Sequence, residues 1–115
     1  VGAHLVRVAP LAGEADVAAI AAWPADVMPL VDAIDPERRG GTGRKADWNL
    51  AATLSARRPM LLAGGLDATN VAAALAAVRP WGVDVSSGVE EAPGIKSAAR
   101  LREFFAAVDA ARREL

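Results

Sequence analysis

Short apolar runs alternate with amphipathic ones along this chain. His4 to Ala9 (HLVRVA) is apolar and β-branched around one charge, which predicts a strand. Glu14 to Trp23 sets Val17, Ile20 and Ala21 on one helical face, and Pro24 stops that helix. Val27 to Ala33 (VMPLVDA) predicts a second strand, with Asp32 at its end. Ile34 to Asp47 reads as a long loop rich in glycine and charge, and Trp48 to Ala56 as a short helix. Met60 to Ala63 is the third predicted strand, and Ala68 to Val78 the third helix, capped by Thr69 or Asn70. Gly82 to Ser86 (GVDVS) is the fourth strand. Ser97 to Glu114 closes the pattern as a helix. Its buried stripe is Leu101, Phe104, Phe105 and Val108, with Arg100, Arg102, Arg112 and Arg113 toward solvent.

The order βαβαβαβα marks an α/β chain with a parallel sheet and right-handed crossovers. Two architectures fit: an open doubly wound sheet, or part of a (β/α) barrel. Both bind ligands beyond the carboxyl ends of their strands. The unusual residues all fall at those ends: Asp32, Gly40-Gly41-Thr42-Gly43, Gly64-Gly65 and Ser86-Ser87-Gly88. The turns at the opposite end are ordinary. This one-sided distribution is the physical sign of a site.

Composition narrows what the site does. At 115 residues, 53% hydrophobic and 23% charged, the chain has the makings of one packed domain. Its formal net charge of -1 gives no basic excess for nucleic acid. No apolar run approaches the roughly 20 residues of a membrane span. Without cysteine the chain has no disulfide, thiolate nucleophile or cysteine metal site, and one histidine cannot build a metal cluster. No metal and no cofactor are expected. The first residue is Val1, not methionine, which points to a processed chain or to part of a longer one.

The centre of the pattern is Pro59-Met60-Leu61-Leu62-Ala63-Gly64-Gly65-Leu66-Asp67, a strand running through two glycines into a helix. Such a turn presents bare main-chain N–H groups to an anion. It also serves as a plain tight turn, in which glycine supplies only its dihedrals. Ser86, Ser87 and Gly88 repeat the motif after the next strand, and two matched tips favour a phosphate. A half-buried Asp32 at a strand end suits a general acid. Its plainer role is a cap or a partner for Arg38, Arg39 or Arg44. Asp84 reads as a second inward carboxylate or as a strand-end acceptor, and Asp35 as solvated. Gly40 to Gly43 lacks the Walker spacing and reads as a loop closing over a ligand, or as a connector. Trp23, Trp48 and Trp81 read as packing residues, and His4 has no catalytic role.

Leu30-Val31-Asp32, Gly40-Gly41-Thr42-Gly43, Asp47-Trp48, Leu62-Ala63-Gly64-Gly65-Leu66, Asn70-Val71 and Val83-Asp84-Val85-Ser86-Ser87-Gly88-Val89-Glu90, then Gly94 and Lys96, occur in this order. Together they resemble phosphoribosylanthranilate isomerase of tryptophan biosynthesis, from about Val27 to the C-terminus. The resemblance implies a (β/α)₈ TIM-type barrel, of which this chain is similar to the second half, strands five to eight. It implies a cytoplasmic enzyme without cofactor that carries out an Amadori rearrangement of a phosphorylated sugar, N-(5-phosphoribosyl)anthranilate. Asp32 matches the family's general acid, kept protonated by partial burial. Gly64, Gly65, Ser86, Ser87 and Gly88 match its phosphate grip. Asp84, Gly41, Thr42 and Gly43 match substrate-binding positions.

This chain also departs from the family. The family's general base is a first-strand cysteine, absent here. Ala46 replaces a usual phenylalanine, and Ser97 a usual aspartate. A half-barrel has open strand edges and an uncovered inner face, so association with a missing N-terminal half or with itself is expected. The isolated chain is then expected to be inactive. Two alternatives stand beside this reading: a related sugar-phosphate isomerase of histidine biosynthesis, and a non-catalytic half-barrel that binds a phosphorylated ligand or a partner chain.

Overall fold

A computed structural model describes residues 5–34 and 46–115. His4, Asp35, Arg38, Arg39 and Gly40 through Lys45 lie outside the described residues. In chain order the elements are β1 (Leu5–Val8), α1 (Glu14–Ala21), β2 (Val27–Ile34), β3 (Ala46–Asp47), α2 (Trp48–Ser55), β4 (Leu61–Ala63), α3 (Val71–Val78) and β5 (Gly82–Val83). A 3₁₀ turn (Ser87–Val89), β6 (Glu90–Ala92), β7 (Ile95–Lys96) and α4 (Ala98–Arg113) follow.

The main sheet runs β1-β2-β4-β5, every pair parallel, with the short β3 added beside the end of β2. Spatial order therefore follows chain order. Helix α1 packs on α2, α2 on α3 and α3 on α4, so the helices form one continuous layer. A doubly wound sheet reverses its strand order and carries helices on both faces. This sheet winds in one direction only, as in a TIM-type barrel.

Alternation along β2 assigns the two faces. Val31 and Ala33 are fully buried under the helices, while Leu30 and Asp32 point to the other side. Register places Leu30 beside Leu61 and Asp32 beside Ala63. The core joins Val31, Ala33 and Leu62 to Leu54, Val71, Leu75, Val78 and Phe104. Arg58 ties down the turn between α1 and β2. Its guanidinium donates to the carbonyls of Ile20 (3.1 Å), Trp23 (2.8 Å), Pro24 (3.1 Å) and Val27 (2.6 Å).

Several expectations need correction. Phe105 is 59% exposed, whereas Phe104 is buried. Adjacent residues lie about 100° apart on a helix, so one of the pair faces the core and the other cannot. Trp81 is 58% exposed at the start of β5. Helix α3 begins at Val71, after a turn at Asp67 to Asn70, and not at Ala68. Ladder pairing of β5 ends at Val83 rather than Ser86. Among the described residues no helix is long and apolar enough to cross a membrane.

Candidate active site

Each strand delivers its site residues where its ladder ends. Gly64 and Gly65 follow β4 at φ 109 and φ 60, conformations that glycine adopts without strain. The chain then turns into α3 through a reciprocal pair of side chains. Asp67 Oδ1 accepts from the Thr69 N–H (2.8 Å), the Thr69 hydroxyl (2.5 Å) and the Asn70 N–H (3.2 Å). Asn70 Oδ1 accepts from the Asp67 N–H (2.9 Å), and its Nδ2 donates to the Gly65 carbonyl (2.8 Å). Asn70 stands at the N-cap of α3 without a side-chain bond to the helix; its side chain holds the glycine turn, and the Asp67 carboxylate holds the turn that leads into the helix.

The second tip lies against the first. A Cβ at Gly88 would overlap the Leu66 carbonyl oxygen and come within 3.1 Å of Asp67 Cα. The two loops therefore touch backbone to backbone, and only a residue without a side chain permits it. Gly64 makes the corresponding approach to β2, where a Cβ would overlap Asp32 Oδ1 and lie 2.5 Å from the Ala33 carbonyl oxygen. The Asp32 carboxyl consequently leans over the glycine turn.

These approaches gather one pocket of about 350 Å³. Its lining includes Asp32, Gly64, Gly65, Asp84, Ser86, Ser87 and Gly88, with Val8, Leu30, Ala63 and Leu66 as its apolar wall. All seven described residues anticipated for the site line it. Gly41, Thr42 and Gly43 lie outside the described residues. Asp32 is exposed, not half-buried, because its side chain stands on the sheet face away from the helices. Asp84 is exposed too, and its N–H donates to the Leu62 carbonyl at 2.8 Å, continuing the line of β5. Among the described residues no cationic side chain lines this pocket. From these residues an anion held there meets neutral main-chain and hydroxyl donors, with two carboxylates close by.

Outside the pocket, a short hairpin of β6 and β7 backs the second tip. Lys96 Nζ donates to the Ser86 carbonyl (3.1 Å) and to Glu90 Oε2 (2.7 Å). The Gly94 N–H donates to Glu90 Oε1 (3.3 Å), and the Arg100 guanidinium donates to the Glu90 carbonyl. The Lys96 ammonium, foremost, and the Gly94 N–H hold the Glu90 carboxyl below the usual glutamate range. Ser97 Oγ caps α4 by accepting from the Arg100 N–H at 3.2 Å. The sequence marks Lys96 only as a motif position, and Asn70 as a motif position or a helix cap. Their roles depend on which carbonyl each side chain meets, and spacing does not encode that.

Residues 6–107 match the family model of N-(5'phosphoribosyl)anthranilate (PRA) isomerase. An N-(5'-phosphoribosyl)anthranilate isomerase from Azorhizobium caulinodans is 46% identical over 96% of this chain and 50% of its own length. The crystal structure of phosphoribosyl anthranilate isomerase from Thermotoga maritima superposes with a TM-score of 0.70 at 33% identity, over 91% of this chain and 51% of that one. A phosphoribosyl anthranilate isomerase in complex with reduced 1-(o-carboxyphenylamino)-1-deoxyribulose 5-phosphate also matches. Its TM-score is 0.70 at 29% identity, over 91% of this chain and 48% of that one. The chain spans about half or less of the length of the curated relatives it matches.

Proposed function

The chain belongs to the N-(5'-phosphoribosyl)anthranilate isomerase family, and from that premise we propose that it forms strands five to eight of the family's (β/α)₈ barrel. It carries the phosphate grip and the general acid of a cytoplasmic enzyme of tryptophan biosynthesis. The observation that carries the reading is the single pocket shared by Asp32, Asp84 and both donor-bearing tips. The relative with a bound 5-phosphate compound supports a phosphorylated ligand of the same class here.

In this reading Gly64, Gly65, Ser86, Ser87 and Gly88 hold the terminal phosphate of N-(5'-phosphoribosyl)anthranilate. That contact stations the sugar ring next to the Asp32 carboxyl, which leans over Gly64. As general acid, Asp32 gives a proton to the furanose oxygen while the bond from C1 to that oxygen breaks. The anilino nitrogen lone pair closes the C1=N bond, and Asp32 is left as carboxylate. Loss of the C2 proton then yields an enol-amine, which tautomerises to the 1-deoxyribulose ketone. C1 is reduced and C2 oxidised within one molecule, so the atoms balance without a redox partner. Asp84 accepts a hydrogen bond from the substrate, and the segment of Gly41, Thr42 and Gly43 closes over it.

The base for the C2 proton comes from the part of the barrel that relatives carry beyond the matched half. Exposed Leu5 (57%), Val6 (53%) and Val8 (66%) on β1 support an edge completed by that half or by a second copy. Two measurements test the proposal. Calorimetry should show the reduced 5-phosphate analogue binding to this chain, and an absence of binding overturns the phosphate grip. Expressed with the first half of a relative, the chain should restore growth without tryptophan to a strain lacking the isomerase. The Asp32→Asn chain should fail to do so while still binding the analogue; growth with that variant overturns the acid assignment.

A further inference from the structure

Among the described residues the pocket lining includes no cation, yet its proposed ligand is doubly charged. Among the described residues a positive charge reaches the site's backbone at Lys96, whose Nζ donates to the Ser86 carbonyl oxygen at 3.1 Å. We propose that Lys96, braced by Glu90, is a positioning residue for phosphate recognition: it fixes the Ser86–Ser87 peptide so that the Ser87 N–H faces the ligand. The proposal rests on the phosphate reading above.

Peptide geometry carries the argument. No cis peptide occurs among the described residues, and in a trans peptide the C=O and the following N–H point in opposite directions. Lys96 does not line the pocket, whereas Ser86, Ser87 and Gly88 do. The ammonium therefore draws the Ser86 oxygen outward and aims the Ser87 N–H inward. The Val89 N–H, at 3.3 Å, is a second donor to the same oxygen and closes the 3₁₀ turn. An ammonium on the carbonyl also polarises that peptide and makes its N–H a stronger donor.

Lys96 needs a brace, because a lysine on a long stem is otherwise mobile. Glu90 Oε2 supplies it at 2.7 Å, and the Glu90 side chain is itself held by the Gly94 N–H. Arg100 fixes the Glu90 main chain through its carbonyl. The Ser97 N–H, at 2.8 Å from the Val89 carbonyl oxygen, pins the other end of the turn. The hairpin of β6 and β7 thus reaches from α4 to the back of the phosphate loop. Asn70 does the same for the first tip, where its Nδ2 draws the Gly65 carbonyl outward.

The test is a titration with inorganic phosphate followed by amide chemical shifts, on wild type, Lys96→Met, Lys96→Arg and Glu90→Gln. Wild type should shift at Gly64, Gly65, Ser87 and Gly88. Lys96→Met should weaken binding about tenfold, the scale of one charge-assisted contact. Its urea midpoint should stay near wild type, because Lys96 lies at the surface. Lys96→Arg should recover most of the affinity. Glu90→Gln should weaken binding less than Lys96→Met, and it serves as the decisive variant should Lys96→Met fail to fold. Equal affinity in wild type and either Lys96→Met or Glu90→Gln overturns the proposal, as does an arginine variant no better than methionine. A wild type that shows no shift at these amides removes the phosphate reading itself, and the positioning role with it.

Discussion

Three glycines at the strand tips should respond differently to the same substitution, because each meets different atoms. Gly65 sits at φ 60 with nothing within 4 Å of an added Cβ. Gly65→Ala therefore meets only the left-handed backbone penalty, about 1 kcal/mol. Gly64 sits at φ 109, outside the region alanine tolerates, and its Cβ would overlap Asp32 Oδ1 and the Ala33 carbonyl. Backbone strain of about 1–3 kcal/mol adds to overpacking of about 1–3 kcal/mol, so Gly64→Ala should destabilise by about 2–6 kcal/mol. Against a total stability of about 5–15 kcal/mol, that leaves a marginal fold. Gly88 has no positive φ, so Gly88→Ala meets only the Leu66 and Asp67 backbone. It should cost about 1–3 kcal/mol and separate the two tips, abolishing phosphate binding in protein that remains folded. Urea unfolding gives the ranking, and a phosphate titration gives the binding. Equal unfolding free energies for Gly64→Ala and Gly65→Ala would refute the steric reasoning. Undiminished phosphate binding by Gly88→Ala would refute the contact between the tips.

Other substitutions separate stability from binding. Arg58→Met strands four carbonyls that now accept from one guanidinium and should cost about 3 kcal/mol by urea unfolding, leaving phosphate affinity unchanged. Phe104→Ala should cost about 3–5 kcal/mol, whereas Phe105→Ala, at a residue 59% exposed, should change the midpoint little. Acid acts through Glu90, which faces Lys96 and the Gly94 N–H while Arg100 holds its carbonyl. Its carboxyl is held below the usual glutamate range, so the pair with Lys96 persists at neutral pH and is lost as pH falls through that lowered range. The Ser87 amide shift should follow this acid titration in wild type and lose it in Lys96→Met; an unchanged titration in that variant contradicts the coupling.

Much of this fold is legible because two periodicities carry it. The β2 alternation of Val31 and Ala33 against Leu30 and Asp32 sorts core from site in eight residues. Gly64-Gly65 and Ser86-Ser87-Gly88 stand out because glycine and serine interrupt otherwise apolar runs. What the pattern could not show is equally physical. The strands β3, β5 and β7 span two residues each, too short to leave a period. Helix α4 offers Phe104 and Phe105 as equal candidates for the core, and only its rotation against α3 decides between them. The burial of Asp32 depends on what stands opposite the inner sheet face, not on its neighbours in sequence. Lys96 looks like a solvated charge until the hairpin folds back onto Ser86.

The central claim is that both strand tips grip one phosphate beside the Asp32 carboxyl. A crystal structure of this chain with the reduced 5-phosphate analogue tests it most directly. The phosphoryl oxygens should lie about 3 Å from main-chain nitrogens of both the Gly64-Gly65 and the Ser87-Gly88 turns, with the Asp32 carboxyl at the sugar's former ring oxygen. A phosphate seated away from either tip would contradict the account.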